Sequence, residues 1–174
     1  MRTDWNNWIL QKNAEFTLDK LGLSKNDYIK TVNQLAKIDW KNQVYGDNES
    51  GKGWNVGQLV SHAQSNHPAQ DFDLSHLSHL FQNHTGFKAD EPINSPAFNT
   101  RSEASDLKYP IVVMGQADGG YHIADGSHRA WKALNSGQKT IKAHVIPYGS
   151  KMPEPTHSLS NNNWQPIAAK TTQP

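Results

Sequence analysis

The sequence predicts an α+β protein, a helical N-terminal half packed on a small mixed β-sheet. Two patterns predict it. Apolar residues recur at helical spacing through roughly the first eighty positions. Beyond Ile111 they gather into short runs separated by turn residues, with one helical stretch between two of the runs.

In the first half, Tyr28, Ile29, Val32, Leu35 and Ala36 form one helical stripe, opened by Ser24 with Asp27. An earlier stripe holds Trp5, Trp8, Ile9 and Phe16, with Gly22 as its stop. The run GDNESGKG, Gly46 to Gly53, reads as a loop and lacks the G-x-x-x-x-G-K-[ST] pattern of a phosphate-cradling P-loop. Val56, Leu59, Val60 and Ala63 predict a short helix that closes before Pro68. Leu74, Leu77 and Phe81 predict another, opened by Asp71 or Asp73. Residues 90–96 carry two prolines and read as a connector, after which Thr100 and Glu103 fit a capping box.

In the second half, Ile111–Met114 is a short apolar strand, Ala117–Gly120 a hairpin turn and Tyr121–Ala124 a second strand. A helix follows from about His128 to Asn135, with Gly137 as a left-handed stop. Thr140–Ile146 alternates as a third strand. The expected division is a helical region over 1–88, an α+β core over 89–148, and an extended or disordered tail over 149–174. The tail is rich in Pro, Ser, Asn and Thr, with too few apolar groups to offset its ordering entropy.

Composition narrows the function classes. The 174 residues suffice for one domain with a real core, although only 35% are hydrophobic and the mean hydropathy is -0.78. A formal net charge of +1 provides no basic field for duplex DNA. The absence of cysteine excludes disulfides, thiolate metal sites and cysteine nucleophiles. No stretch approaches the roughly 20 apolar residues of a membrane span, and the N-terminus lacks the pattern of a signal peptide. The expectation is a cytoplasmic protein with no membrane partner.

The stretch that carries chemistry is ADGSHRAWKA, Ala124 to Ala133. A strand runs into Asp125-Gly126-Ser127-His128-Arg129 and a helix begins there. The first turn of a helix presents unpaired amides and the positive end of its dipole. Gly126 permits close backbone approach, Ser127 can donate to an anion, and His128 can donate or relay a proton. Arg129 offers a planar fork for phosphate or carboxylate. Asp125 is a candidate metal ligand, ribose partner or base. The same residues also read as an ordinary helix start, with Ser127 as the N-cap and Asp125 as a turn residue.

The segment from Pro110 to Pro147 resembles the core of the ParB/sulfiredoxin superfamily, over about a fifth of the chain. The likeness lies in the order strand, turn, strand, G-x-[HR]-R corner, helix, glycine, strand. Its D-G-x-H-R form resembles the ParB-like nuclease and free-serine-kinase branches. The resemblance implies that Gly126, Ser127, His128 and Arg129 hold the phosphates of ATP, ADP or CTP, with Asp125 beside the reacting group. It also implies Mg²⁺ and a nucleotide-dependent phosphotransferase or hydrolase, in which Asp125 and His128 would be the catalytic pair. Arg101 is a candidate second phosphate contact. Ser127 stands where sulfiredoxin has its catalytic cysteine, so sulfinic acid reduction is not expected. The helix-turn-helix and dimerisation regions of partition proteins are not expected in the residues after Tyr148.

Two other readings belong to different classes. One is a metal-dependent ParB-like nuclease acting on DNA, which the near-zero charge does not favour. The other is a non-catalytic binding or inhibitory module of phage or plasmid origin, gripping a protein partner through its N-terminal helices. Elsewhere, His76 and His79 lie one helical turn apart, but exposed helix histidines explain them better than a metal. His62 reads as solvated, His84 as a core histidine, and His122 and His144 as structural strand residues. Glu91 and Glu103 are candidate bases from the preceding segment. The tryptophans can stack bases, but Trp5 and Trp8 read as helix packing and Trp131 as burying the motif helix.

Overall fold

A computed structural model describes residues 43–82, 93 and 96–168. Among these residues the fold is α+β, built from eight strands in two four-stranded sheets with helices against one of them. The predicted helices holding Trp5 to Phe16 and Tyr28 to Ala36 lie outside the described residues, as do His84 and Glu91.

The described residues begin with a hairpin, β1 (Val44–Asp47) and β2 (Lys52–Asn55), which runs directly into α1 (Val56–Asn66). The Asn55 side chain accepts the Gln58 amide and so closes the start of α1. Val56, Leu59, Val60 and Ala63 are its buried stripe, as their spacing predicts. Next come β3 (Gln70–Asp73), a 3₁₀ turn (Leu74–Leu77) and α2 (Ser78–Gln82). Asp73 caps the 3₁₀ turn by accepting the Ser75 amide at 2.8 Å, whereas Asp71 lies in the strand.

α3 spans Pro96–Ala104, β4 Ile111–Gly115, β5 Tyr121–Asp125, α4 Ser127–Asn135 and β6 Thr140–Ile146. The Gly119 and Gly137 backbones have φ of 82° and 77°, the left-handed geometry their turns require. After β6 comes a second hairpin, β7 (His157–Ser160) and β8 (Asn163–Pro166).

The core sheet has the order β3-β6-β4-β5. β4 runs parallel to β6 and the other pairs are antiparallel. Both of its faces are covered, which is why β4 is a continuous apolar run rather than an alternating one. Val112, Met114 and Ile146 meet Val56, Val60 and Ala63 of α1 on one face. Ile111, Val113, Ile141 and Ala143 meet Leu77, Phe98, Ala130, Ala133 and their neighbours on the other.

Four expectations need correction. Residues 1–88 are not one helical region, because β1, β2 and β3 fall within them; β3 joins the core sheet by pairing with β6. The domain boundary at 88/89 therefore cuts through the core. The Gly46–Gly53 run is not all loop, since its ends are strand and Gly46 pairs with Gly53. The segment after Gly149 is not a loose tail up to residue 168. β7 pairs with β2 and with β8, and Trp54 donates to the Pro153 carbonyl at 2.8 Å. Backbone pairing to an existing hairpin orders a segment whose own apolar content could not. Finally, Thr100 is no helix cap: it is 5% exposed in the middle of α3, which begins at Pro96, where a missing amide hydrogen costs nothing.

Candidate functional site

The candidate site lies where β5 hands the chain to α4. Between Val112 and Val113 the β4–β5 register shifts, so Val112 faces Asp125 while Val113 faces Ile123. Ala124 is the extra residue of this bulge, a device that bends a strand and re-aims the side chains at its end. Gly126 follows with φ 99° and ψ 25°, a left-handed conformation that disfavours any residue with a Cβ. A Cβ there would also stand 2.5 Å from Ile111 Cγ2 and 2.8 Å from Arg129 Nη2. Glycine is required at this position on both counts.

Gly126, not Ser127, is the N-cap of α4, and Ser127 is the first helical residue. The Gly126 carbonyl accepts the Ala130 amide at 2.9 Å, and Gly126 has no side chain with which to cap the helix start. Bonding within the helix starts with that contact, so the amides of the first turn point out of the helix end.

Arg129 is held beneath this turn. Its Nη2 donates to Asp125 Oδ2 at 2.9 Å and lies 3.3 Å from the Pro110 carbonyl oxygen. Both side chains are mostly buried, 12% exposed for Arg129 and 17% for Asp125. This changes the roles expected from sequence. The guanidinium fork is partly committed inside the fold, and the Asp125 carboxylate serves as its counter-ion. Arg129 Nε is buried with no hydrogen-bond partner. Among the described residues no group of three or more His, Asp or Glu side chains is arranged to hold a metal ion.

α3 packs beside α4 and completes the corner. Phe98, 1% exposed, places its ring 4.7 Å from that of half-buried His128, with the planes at 39°. Phe98 also meets the Trp131 ring at 6.0 Å, so Trp131 does bury the motif helix. Lys132 donates to the Glu103 and Ser105 carbonyls, both at 2.8 Å, and thereby closes the C-terminal end of α3. Arg101 follows Phe98 by three residues, on a neighbouring face of α3, and is half-buried. The structure thus brings Asp125 through Arg129 together at one turn and sets α3, with Arg101, alongside. Glu103 presents an exposed side chain and contributes its backbone carbonyl.

The other histidines separate. His76 meets the Phe72 and Tyr121 rings at 5.7 and 5.5 Å, and His79 is exposed. His144 is buried and hydrogen-bonded, in keeping with a structural role.

A feature invisible in sequence is a cavity of about 350 Å³ between the β1–β2 and β4–β5 turns, at the far end of β5 from Gly126. Tyr45, Asp47, Glu49, Gln116, Asp118 and His122 are among its lining. Gln116 Nε2 donates to the Tyr45 hydroxyl at 3.4 Å, and burial pushes that phenol above its ordinary pKa. Two acidic turns about seventy residues apart carry no local signal that they will meet.

No family model matches the chain, and no curated protein or solved structure matches it. No helix among the described residues is long and apolar enough to cross a membrane.

Proposed function

We propose that the protein binds a phosphate-bearing ligand, a nucleotide in the first instance, at the N-terminus of α4. The observation that carries this reading is the helix start at Gly126. The first-turn amides, which have no acceptor within the helix, point outward beside a fixed Arg129. Helix dipole, amide donors and nearby guanidinium favour an anion together. The resemblance of residues 110–147 to the ParB/sulfiredoxin core supports ATP, ADP or CTP as that anion. Mg²⁺ would arrive as the nucleotide complex, in keeping with the pairing of Asp125 to Arg129.

In the proposed arrangement Ser127 and the amides of residues 127–129 hold phosphate oxygens. His128, braced by Phe98, donates to phosphate or relays a proton, and Arg101 adds charge from α3. Phosphoryl transfer or hydrolysis is the chemistry such a cradle serves, through charge neutralisation in the transition state. The Asp125–Arg129 pair favours a second reading, ligand binding without turnover, because the candidate base is already engaged by a cation. Nucleolytic cleavage is a third outcome, read by plasmid nicking with Mg²⁺ or Mn²⁺.

Calorimetric titration with ATP, ADP and CTP, with and without Mg²⁺, is the test. A Ser127→Asp variant separates binding from folding: a carboxylate at the first helical position suits the dipole but repels phosphate. We expect binding in the parent and at least about a tenfold loss in the folded variant. Absence of heat for all three nucleotides would reject the reading.

A further inference from the structure

α1 has no acidic or basic residue apart from His62, yet its C-terminal end gathers three imidazoles. The helix closes with the His67 amide donating to the Ala63 carbonyl at 2.9 Å. The His67 carbonyl in turn accepts from His144 Nδ1 at 2.6 Å. A carbonyl has no proton to give, so His144 must carry its proton on Nδ1. His144 is 9% exposed, on the face of β6 that α1 covers, with Ile146 two residues on. On the helix, the Asn66 side-chain amide lies 2.8 Å from the His62 carbonyl oxygen and 3.3 Å from His62 Nδ1. Nδ1 is then the acceptor and Nε2 holds the proton of the neutral ring. That Nε2 is buried with no partner. The His62 and His67 rings stand 5.8 Å apart, tilted by 58°.

We propose that His62, His67 and His144 form an acid-sensitive latch joining the C-terminal end of α1 to strand β6. In the neutral state, the His144 hydrogen bond ties the chain just after α1 to the core sheet. In acid, protonation of His67 sets a cation in a partly dry corner beside two further imidazoles, with little to compensate it. The groups facing the cluster decide this. β4 offers only apolar residues, and Val112 is the neighbour of His144. On β6, Lys142 shares the face of His144, and its charge is paired with Asp71 of β3 at 3.0 Å. The carbonyl end of α1 attracts a cation, but the opposing effects prevail at His67. Burial first, then His62 and His144, hold its imidazole below the ordinary pKa.

The sign of the pH effect follows. The folded state disfavours the proton that the unfolded chain accepts near pH 6.5. This contribution to stability is fully present above that value and is lost as pH falls through the lowered folded pKa. Because Asn55 ties the other end of α1 to β2, a released helix end would loosen the layer that joins the two sheets.

Native-state hydrogen exchange on the whole protein, corrected for the intrinsic pH dependence of exchange, tests the latch. Between about pH 7.5 and 5 the His67 amide should lose protection by about fivefold or more, while the Ala130 amide of α4 changes less than about twofold. His67→Asn removes one titrating ring. His144→Gln removes a neighbouring imidazole and keeps a donor for the His67 carbonyl. Each should reduce the acid step, and the double variant should abolish it. If either single variant fails to fold, the other gives the same readout. Equal losses in α1 and α4, or an unchanged acid step in whichever variants fold, would overturn the proposal.

Discussion

The two sheets hold together by different means. The core sheet is covered on both faces, and Ile111, Val112, Val113, Ile141, Ala143 and Ile146 are all at most 4% exposed. The outer sheet, β1-β2-β7-β8, uses a glycine pair instead. Gly46 and Gly53 face each other across β1 and β2, and the Trp164 indole lies over both. A Cβ built on Gly46 would fall within that ring. Val44 and His157 flank the same spot. The comparison teaches that one sheet depends on the volume of many side chains and the other on the absence of two. It also places the candidate site on the better-buttressed sheet, where a left-handed glycine can be held without yielding.

The sharpest way to break this comparison is at Gly126. Gly126→Ala combines an unfavourable φ with contacts to Ile111 and Arg129, so we expect a loss of about 3 kcal/mol in urea unfolding. The core sheet and the outer sheet should fail together, because the β5–α4 corner belongs to the main core.

Gly46→Ala should separate them. Ejecting Trp164 costs about 2 kcal/mol locally, and hydrogen exchange should quicken at Leu159, whose amide donates to the Gly51 carbonyl, while Ala130 stays protected. Asn55→Ala removes the cap of α1 at a cost of about 1 kcal/mol, felt by both sheets. Lys132→Ala unties the α3 terminus from α4 for about 1 kcal/mol or less and should leave the outer sheet unchanged. Equal exchange at Leu159 and Ala130 in the Gly46 variant would show that the sheets unfold as one.

The same contrast explains what could be read from the chain. β4, α4 and β6 carry their burial in their own spacing: IVVM is apolar throughout, and Ala130 and Ala133 share a helix face. β3, β7 and β8 read QDFD, HSLS and NWQP, with at most two apolar residues each. Their order comes from pairing with strands distant in sequence. One local signal for the last hairpin was present. Asn161 and Asn162 adopt φ of 49° and 60°, the geometry of a primed hairpin turn, and asparagine tolerates it. Within the site, residue types identified the corner, but not the Asp125–Arg129 pairing or the seat of His128 on Phe98. Those contacts depend on a register shift in β5 and on where α3 packs.

The central claim is that the first-turn amides of α4 receive phosphate, and backbone amide NMR reads it directly. On titration with ATP or CTP, the Ser127, His128 and Arg129 amides should shift first and saturate together, with Asn135 at the far end of α4 barely moved. Shifts confined to the cavity between the hairpin turns, or none at residues 127–129 at saturating nucleotide, would contradict the account.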